Sequence, residues 1–174
     1  MLQNMSQGKL TYEMAEILAE KISYASFFQN AYDKANDYSI QICGVEGEER
    51  HSGDEVDAVR HFIGASILSS ILGTEYVKRL LTAHEKRSDT FSDENYMDIN
   101  NNQLGINFGP TIPYVKTTKN NKIKNGWRKR TLMVRDHSLL FFKNEVNKRV
   151  LSGDFFTLRT GMSLCSNPKV FPNM

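Results

Sequence analysis

The chain is poor in cysteine, tryptophan and proline, with two, one and four of them among 174 residues. It contains no apolar run approaching the roughly 20 residues that a membrane-spanning helix needs. The segment from Met1 to Lys21 holds spaced acidic residues and no apolar stretch of the length found in a secretory signal. We therefore expect a protein made in the cytoplasm without a cleavable signal and without a membrane span.

Several sequence motifs of common enzymes are also missing. No Walker loop or dinucleotide fingerprint is present, and no Gly-x-Ser-x-Gly elbow occurs. The two cysteines, Cys43 and Cys165, match no metal-binding pattern, and neither stands in a setting that suggests an activated thiol. We expect two free thiols, with one disulfide between them as the alternative.

Charge is distributed unevenly along the chain. The net charge is only +2, but residues 1–56 carry ten acids against four bases, and residues 115–150 carry eleven bases against two acids. Such a division indicates either faces that pair within the molecule or a basic surface that meets an acidic partner.

Hydrophobic periodicity predicts a mainly α-helical fold, a single compact domain with an αα-hairpin at its core and at most a small β-hairpin. A first helix is predicted from Leu10 to about Asn36, and a third from about Thr74 to Arg87. The second begins at Ser52, which is spaced with Glu55 as a capping box, and it ends at Gly73. Small residues at 64–66 allow another backbone to approach this helix closely.

The second half of the chain is predicted to be less regular. The helical period vanishes from Ser88 to about Thr118, which predicts a long functional loop. A last helix is predicted from Val134 to Leu151, followed by a stop at Gly153. A short strand at 155–158 is expected to pair with residues 112–115.

We divide the predicted single domain, 1–174, into four regions. They are an N-terminal helical region (1–45), a catalytic core (52–110), a basic insertion (116–130) and a closing helix with a short strand (134–160). The core is the region in which ionisable and amide side chains gather. We therefore expect the functional site there.

Three successive segments of this core supply the candidate residues. Asp57, Arg60 and His61 project from one face of the second helix because they stand at positions i, i+3 and i+4. The third helix ends at His84 and Glu85, and the predicted loop follows it. The predicted catalytic residues are Asp57, Arg60, His61, His84, Glu85 and Asp98, and the predicted substrate-binding residues are Asn101, Asn102 and Gly105.

Each candidate also has a purely structural interpretation. Asp57 near a helix start complements the helix dipole, and Arg60 pairs with a nearby carboxylate at little gain in stability. A single histidine such as His61 is commonly a structural residue, and Asn101 and Asn102 are common in turns. The functional interpretation is favoured because all of these residues fall within fifty positions of one another.

The same segments resemble a known group of domains. Asp57-Ala58-Val59-Arg60-His61, Ala83-His84-Glu85 and Met97-Asp98-Ile99-Asn100-Asn101-Asn102 with Gly105 resemble an uncharacterised family of bacterial and phage domains. Its members often stand at the C-termini of polymorphic toxins. The resemblance spans roughly residues 54–160, with residues 1–45 outside it and 116–130 as an insertion. It implies an antibacterial effector or toxin that is secreted or delivered into a target cell, with an immunity protein and a secretion-system carrier as partners.

A second resemblance concerns the reaction. The spacing of Glu85, Asp98, Asn101-Asn102 and Gly105 is similar to that of goose-type lysozymes and lytic transglycosylases. It implies a hydrolase that cleaves peptidoglycan without a cofactor. Glu85, its pKa raised by a dry pocket, would be the general acid, and Asp98 the base or the stabiliser of the transition state. The asparagines would orient sugar groups.

The first alternative is a metal-dependent phosphoesterase or nuclease toxin. A divalent metal with an open coordination position would take nitrogen and oxygen ligands from Asp57, His61, His84, Glu85 and Asp98. The smallest ligand set that we expect is His61, His84 and Asp98. Their order resembles that of the histidine–aspartate phosphohydrolases, although Glu85 stands where that family has aspartate. The basic stretch around Trp127 would then meet nucleic-acid phosphates.

The second alternative is a non-enzymatic binding module. In that case the cluster is a buried polar network that exists for structural specificity alone. The three hypotheses differ in what they require of a divalent ion and of the substrate, so chelation separates them.

Overall fold

A computed structural model of the chain describes residues 11–44, 54–85, 92–123 and 126–157, with side chains described outside 121–127. The helices are α1 (Tyr12–Glu20), α2 (Ala25–Cys43), α3 (Glu55–Leu72), α4 (Thr74–Glu85), α5 (Asp93–Phe108) and α6 (Leu139–Ser152). Strands β1 (Tyr114–Ile123) and β2 (Gly126–Arg135) form one antiparallel hairpin. The prediction of a mainly α fold with a small β-hairpin is confirmed. Among the described helices, none has the length and apolar character needed to span a membrane.

The predicted first helix is two helices. α1 ends at Glu20, a 3-10 turn covers Ile22–Tyr24, and α2 begins at Ala25. The break lets the two apolar stripes face different neighbours, because α1 packs on α4 and α2 packs on α3. Thr11 fixes the start of α1, where its hydroxyl accepts the Met14 N–H and donates to the carbonyl oxygen of Ala83 in α4.

α3 is the central helix, in contact with α2, α4 and α5. Its buried residues surround the helix instead of forming one stripe, as expected for a helix covered on several sides. Its N-cap is Asp54, whose carboxylate accepts the Asp57 N–H at 3.0 Å. The capping residue predicted at Ser52 lies outside the described residues, while the predicted end at Gly73 is confirmed by a φ of 88° there.

The predicted loop from Ser88 to Thr118 is wrong over most of its length, because residues 93–108 form α5. Ser92 caps this helix by accepting the Asn95 N–H. The buried positions repeat at helical spacing, but amides and a glycine occupy several of them. A periodicity search that counts apolar residues therefore misses it. The buried residues of α5 are Met97, Asn101, Asn102, Gly105 and Ile106.

Two glycines bring α5 against α3. A Cβ atom on Gly105 would stand 2.3 Å from the Phe62 carbonyl oxygen, and one on Gly109 would stand 1.9 Å from Ser69 Oγ. On the opposite side of α3, a Cβ on Gly64 would meet only Ala35 Cβ of α2, at 3.5 Å. The close backbone approach predicted for residues 64–66 is confirmed.

The predicted basic insertion forms most of the β-hairpin. Its ladder runs from the pair Tyr114–Arg135 to the pair Ile123–Gly126. The pairing predicted between residues 112–115 and 155–158 is wrong, because β1 has β2 as its partner and the chain near Phe155 packs on the ring of Phe62 instead.

The closing helix α6 starts five residues later than predicted, after the N-cap Ser138. The segment that precedes it is the last part of β2 and a short connection. Its predicted stop at Gly153 is confirmed by a φ of 71°. Phe142 and Val146 are buried and attach this helix to the core.

The expectation of two free thiols is wrong for Cys43. This residue is buried at the last position of α2 and is disulfide-bonded. Its bonding partner lies outside the described residues. Neither state could be chosen from the sequence alone, because cysteines far apart in a chain meet only through the tertiary fold.

Candidate functional site

Side chains from α3, α4 and α5 converge around the imidazole of His61. Its Nε2 atom lies 3.2 Å from Asp98 Oδ1 and 3.4 Å from Asp57 Oδ1. On the other side of the ring, Nδ1 lies 3.2 Å from Asn102 Oδ1 and 3.7 Å from Glu85 Oε1. One histidine is therefore in contact with three carboxyl groups and one amide.

Helix geometry explains this convergence. Asp57 and His61 are one turn apart at the start of α3, and Asp98 and Asn102 are one turn apart in α5. The close contact at Gly105, three residues after Asn102, holds α5 against this part of α3. Glu85 reaches the same place from the last residue of α4. We call Asp57, Arg60, His61, Glu85, Asp98 and Asn102 the His61 cluster.

Asn102 determines the orientation of the His61 ring. Its Nδ2 atom donates to Glu85 Oε1 at 2.8 Å, so its carbonyl oxygen faces His61 Nδ1. An amide oxygen only accepts hydrogen bonds, and Nδ1 must therefore carry a proton. The Nε2 atom is then the nitrogen that faces Asp57 and Asp98.

The electrostatics of the cluster favour a protonated His61 in the metal-free protein. Burial alone would lower the pKa of His61, but its hydrogen bond to Asp57 and the charges of Asp98 and Glu85 outweigh burial and raise the pKa to about 9. Burial raises the pKa of the Asp98 carboxyl to about 7, against the opposing effect of His61. The cluster thus concentrates more acidic groups than one imidazole neutralises.

Asp98 has an oxygen without a hydrogen bond. Its Oδ1 atom is buried and receives none from any described residue, although His61 Nε2 is only 3.2 Å away. Buried acceptors without a donor are rare in proteins and call for an explanation such as an ion. Asp98 Oδ1 and His61 Nε2 are therefore close to each other but do not form a hydrogen bond.

These distances fit metal coordination. Asp57, His61 and Asp98 each offer one ligand atom, and the three atoms lie within 4.8 Å of one another. Ligands held tetrahedrally at roughly 2.0–2.1 Å from a metal lie about 3.3 Å apart. The measured 3.2 and 3.4 Å from Nε2 to the two aspartates match this spacing. Two carboxylates and one imidazole suit divalent ions that accept oxygen and nitrogen ligands.

Arg60 is the cation of the cluster. Its guanidinium pairs with Asp57 Oδ1. With 24% of its side chain exposed, it is more accessible than Asp57, at 5%. Arg60 is thus placed where a ligand arriving from solvent meets a positive charge beside the buried carboxylates.

Three predicted site residues lie elsewhere. His84 follows a different direction from Glu85, and its ring contacts Met14 and Phe28. Neighbouring residues in a helix point about 100° apart, so only one of the two faces the cluster. Asn101 exchanges two hydrogen bonds with the backbone of Phe156, at 2.8 and 3.1 Å. Gly105 is the packing contact with α3 described above, and its role in substrate binding stays a prediction.

The sequence reasoning missed one residue that supports the cluster. Asp54 caps α3 and holds the backbone N–H of Asp57, which fixes the first turn from which Asp57 projects. An acid three positions before another acid at a helix start is a recognisable capping pattern. The capping box assigned to Ser52 and Glu55 obscured it.

The fold and the cluster define a helical domain with a carboxylate-rich histidine centre. The chain belongs to the family described as "Domain of unknown function (DUF6973)", whose model matches residues 15–131. The match begins in α1 and extends into β2. It also contains every residue of the His61 cluster. No curated protein and no solved structure matches the chain.

Proposed function

We propose that the protein is a metal-dependent hydrolase of phosphoesters, with a divalent cation held by Asp57, His61 and Asp98. The observation that carries this proposal is the buried Asp98 Oδ1, which lies 3.2 Å from His61 Nε2 and accepts no hydrogen bond from the described residues. Two ligands of one metal ion lie at about this distance from each other. A bound ion would also give the otherwise unsatisfied Asp98 oxygen a partner.

A bound divalent ion supplies two kinds of chemistry, activation of water near neutral pH and polarisation of a phosphoryl oxygen. The protein's own contribution is the orientation of the ligands. Asn102 and Glu85 fix the ring of His61 through Nδ1, which directs Nε2 towards the aspartates. Partners of this kind behind a histidine ligand commonly raise metal affinity and activity.

Arg60 supports a phosphate-containing substrate. A guanidinium offers several N–H donors in one plane and binds phosphate oxygens in pairs. Arg60 contacts Asp57 and has 24% of its side chain exposed, so its guanidinium lies at the solvent-facing edge of the His61 cluster. A phosphoester held there would have its charge balanced beside the three proposed ligands.

The geometry supports the lysozyme-like mechanism less well. The imidazole of His61 lies between Glu85 and Asp98, at 3.7 and 3.2 Å, in the space that a glycosidic bond would need. Burial raises the pKa of Asp98 to about 7, which suits a proton donor, whereas the lysozyme-like mechanism gives Asp98 the role of base or stabiliser. Peptidoglycan cleavage and delivery as a toxin stay predictions.

The test is hydrolysis of bis(p-nitrophenyl) phosphate by metal-stripped protein supplied with Mn²⁺, Zn²⁺ or Mg²⁺ in turn. We expect hydrolysis with at least one ion, and loss of both metal binding and hydrolysis in Asp98→Asn and His61→Gln. Asp136→Asn, an acid outside the cluster, is the matched control and should keep both.

The alternatives give different results. Release of fragments from peptidoglycan in the presence of EDTA would replace the proposal with the glycosidase. A folded protein that binds no divalent ion and cleaves neither substrate would replace it with the binding module.

A further inference from the structure

The β-hairpin is a strongly basic arm. Residues 114–135 contain eight lysines and arginines and no aspartate or glutamate. The cations whose side chains are described and exposed are Lys116, Lys119, Arg128, Lys129 and Arg130. Among the described side chains, none of these five forms an ion pair with an acid. Their charge is therefore available to a partner.

One pair of like charges across the two strands destabilises the hairpin. Lys119 and Arg130 are direct cross-strand partners, so two like charges face each other on the same side of the ribbon. Directly opposed like charges destabilise a strand pair. An anion that binds between these side chains would remove this repulsion.

The shape of the hairpin narrows the choice of partner. Strand alternation places Lys119, Arg128 and Arg130 on one face and Lys116 and Lys129 on the other, so both faces are cationic. Ten residues per strand give a ribbon about 30 Å long. A two-stranded ribbon of this kind fits the major groove of a duplex and also follows a single-stranded phosphate backbone.

The apolar side chains that the structure describes in the hairpin do not favour membrane insertion. Val115, Met133 and Val134 are exposed, but they lie in the ladder pairs nearest to the helical body. Beyond the pair Thr117–Leu132, the described pairs Thr118–Thr131, Lys119–Arg130 and Asn120–Lys129 are polar or cationic. A long anionic polymer matches this distribution better than a lipid surface does.

The hairpin begins close enough to the His61 cluster for one polymer to contact both. α3 and α5 run in the same direction, since Asn102 contacts His61 and Gly109 approaches Ser69 further along both helices. The hairpin begins shortly after Gly109, eleven residues beyond Asp98, which corresponds to about 16 Å along a helix. A polymer with a phosphate at each monomer is long enough to contact both places.

We propose that the hairpin 114–135 binds the phosphate backbone of a polynucleotide and that nucleic acid is the substrate class of the His61 cluster. The assignment of the substrate rests on the proposed phosphoesterase activity. The binding role of the hairpin rests only on its own charges and exposure, so the two can fail separately.

The test measures binding of fluorescent 20-nucleotide duplex DNA, single-stranded DNA and RNA by anisotropy across a series of salt concentrations. Lys119→Glu is the test variant, because the new charge opposite Arg130 preserves the ribbon while it weakens binding of anions. Lys78→Glu on α4, an exposed position with the same change in net charge, is the matched control. Arg130→Glu is the second test variant.

We expect Lys119→Glu and Arg130→Glu each to weaken binding of at least one polynucleotide about tenfold and to reduce the dependence of log K on log salt by about 1. Lys78→Glu should change affinity by less than twofold. Both hairpin variants should keep hydrolysis of bis(p-nitrophenyl) phosphate and lose hydrolysis of the polymer they bind poorly.

Other results would overturn one claim or the other. Unchanged binding in both hairpin variants, or binding of the wild-type protein to anionic phosphatidylserine vesicles but to no polynucleotide, removes the hairpin proposal and leaves the phosphoesterase standing. Salt-dependent polynucleotide binding without hydrolysis of any phosphodiester removes the phosphoesterase and leaves the hairpin as a nucleic-acid-binding arm.

Discussion

His61 and Asn102 lie 3.2 Å apart, Nδ1 to Oδ1, and Asn102 is held on its other side by Glu85. The Asn102 amide thus links the Glu85 carboxylate of α4 to the His61 imidazole of α3. It also settles which nitrogen of His61 faces Asp57 and Asp98. Three helices are coupled through one side chain, and the proposed metal ligands depend on this coupling.

Replacement of Asn102 by alanine should weaken divalent metal binding roughly 10- to 100-fold, the range seen when a partner behind a metal-bound histidine is removed. The reason is that His61 loses the acceptor that fixes its ring. Isothermal titration calorimetry of metal-stripped protein with Zn²⁺ or Mn²⁺ measures the change.

Asn101→Ala is the control for this experiment. Asn101 is also buried, but it holds the backbone of Phe156 and not His61. Its loss should lower the free energy of unfolding by about 1–3 kcal/mol, the cost of leaving buried groups without hydrogen bonds. Equal losses of metal affinity in the two variants would show that Asn102 acts only through general stability.

The stability of the metal-free protein should fall as the pH rises. The pKa of His61 is raised to about 9 in the folded state, so its contribution is fully present below the unfolded pKa near 6.5 and is lost as the pH rises through 9. The raised pKa of Asp98, about 7, acts in the same direction, because the folded state disfavours its ionised form. Urea denaturation between pH 5 and 9.5 measures both effects.

A divalent ion should reverse this trend. Metal ligands must be deprotonated, so binding displaces protons from His61 and Asp98 and becomes tighter with rising pH. We expect added Zn²⁺ or Mn²⁺ to stabilise the protein more at pH 8 than at pH 6. His61→Gln should remove the metal effect and flatten the pH dependence above pH 7. Stabilisation that is independent of pH would place the ion away from His61.

Gly105→Ala should destabilise the fold by about 1–3 kcal/mol or more, the usual cost of overpacking. The added methyl group would stand 2.3 Å from the Phe62 carbonyl oxygen and 3.0 Å from the Ser66 nitrogen, both backbone atoms of α3. Because α5 would have to move, metal affinity should fall as well. Thermal unfolding and calorimetry measure the two changes.

Gly64→Ala is the matched substitution in the interior of α3. The new methyl group would meet only Ala35 Cβ, at an ordinary contact distance of 3.5 Å. Alanine favours a helix over glycine by up to about 1 kcal/mol, so this variant should be as stable as the wild type or more so. A similar loss of stability in both variants would contradict the close packing assigned to Gly105.

The sequence predicted the parts of the site that local geometry determines. Asp57 and His61 share a face of α3 because they are four residues apart, and this spacing is visible without a structure. It did not distinguish His84 from Glu85, since the choice between adjacent helical residues depends on the rotation of α4 in the fold. Only the tertiary structure places Glu85 beside Asn102 and His84 beside Met14.

α5 escaped prediction for a related reason. Its buried face carries Asn101, Asn102 and Gly105 at positions where a typical helix carries leucine or valine. The amides are buried because they find partners in other elements, Phe156 for one and Glu85 with His61 for the other. Such pairings cannot be read from a single segment of sequence, and the segment therefore had the composition of a loop.

The adjacency of Asn101 and Asn102 gives α5 a rotational lock. The two amides point about 100° apart around the helix axis, and each is bound at its far end, one to the backbone after α6 and the other to the histidine centre. A twist of α5 that released either amide would strain the other. The segment around Phe156 that follows α6 therefore also restrains the rotation of α5, and with it the position of Asp98 relative to His61. A force applied to this segment would act on the His61 cluster by rotating α5.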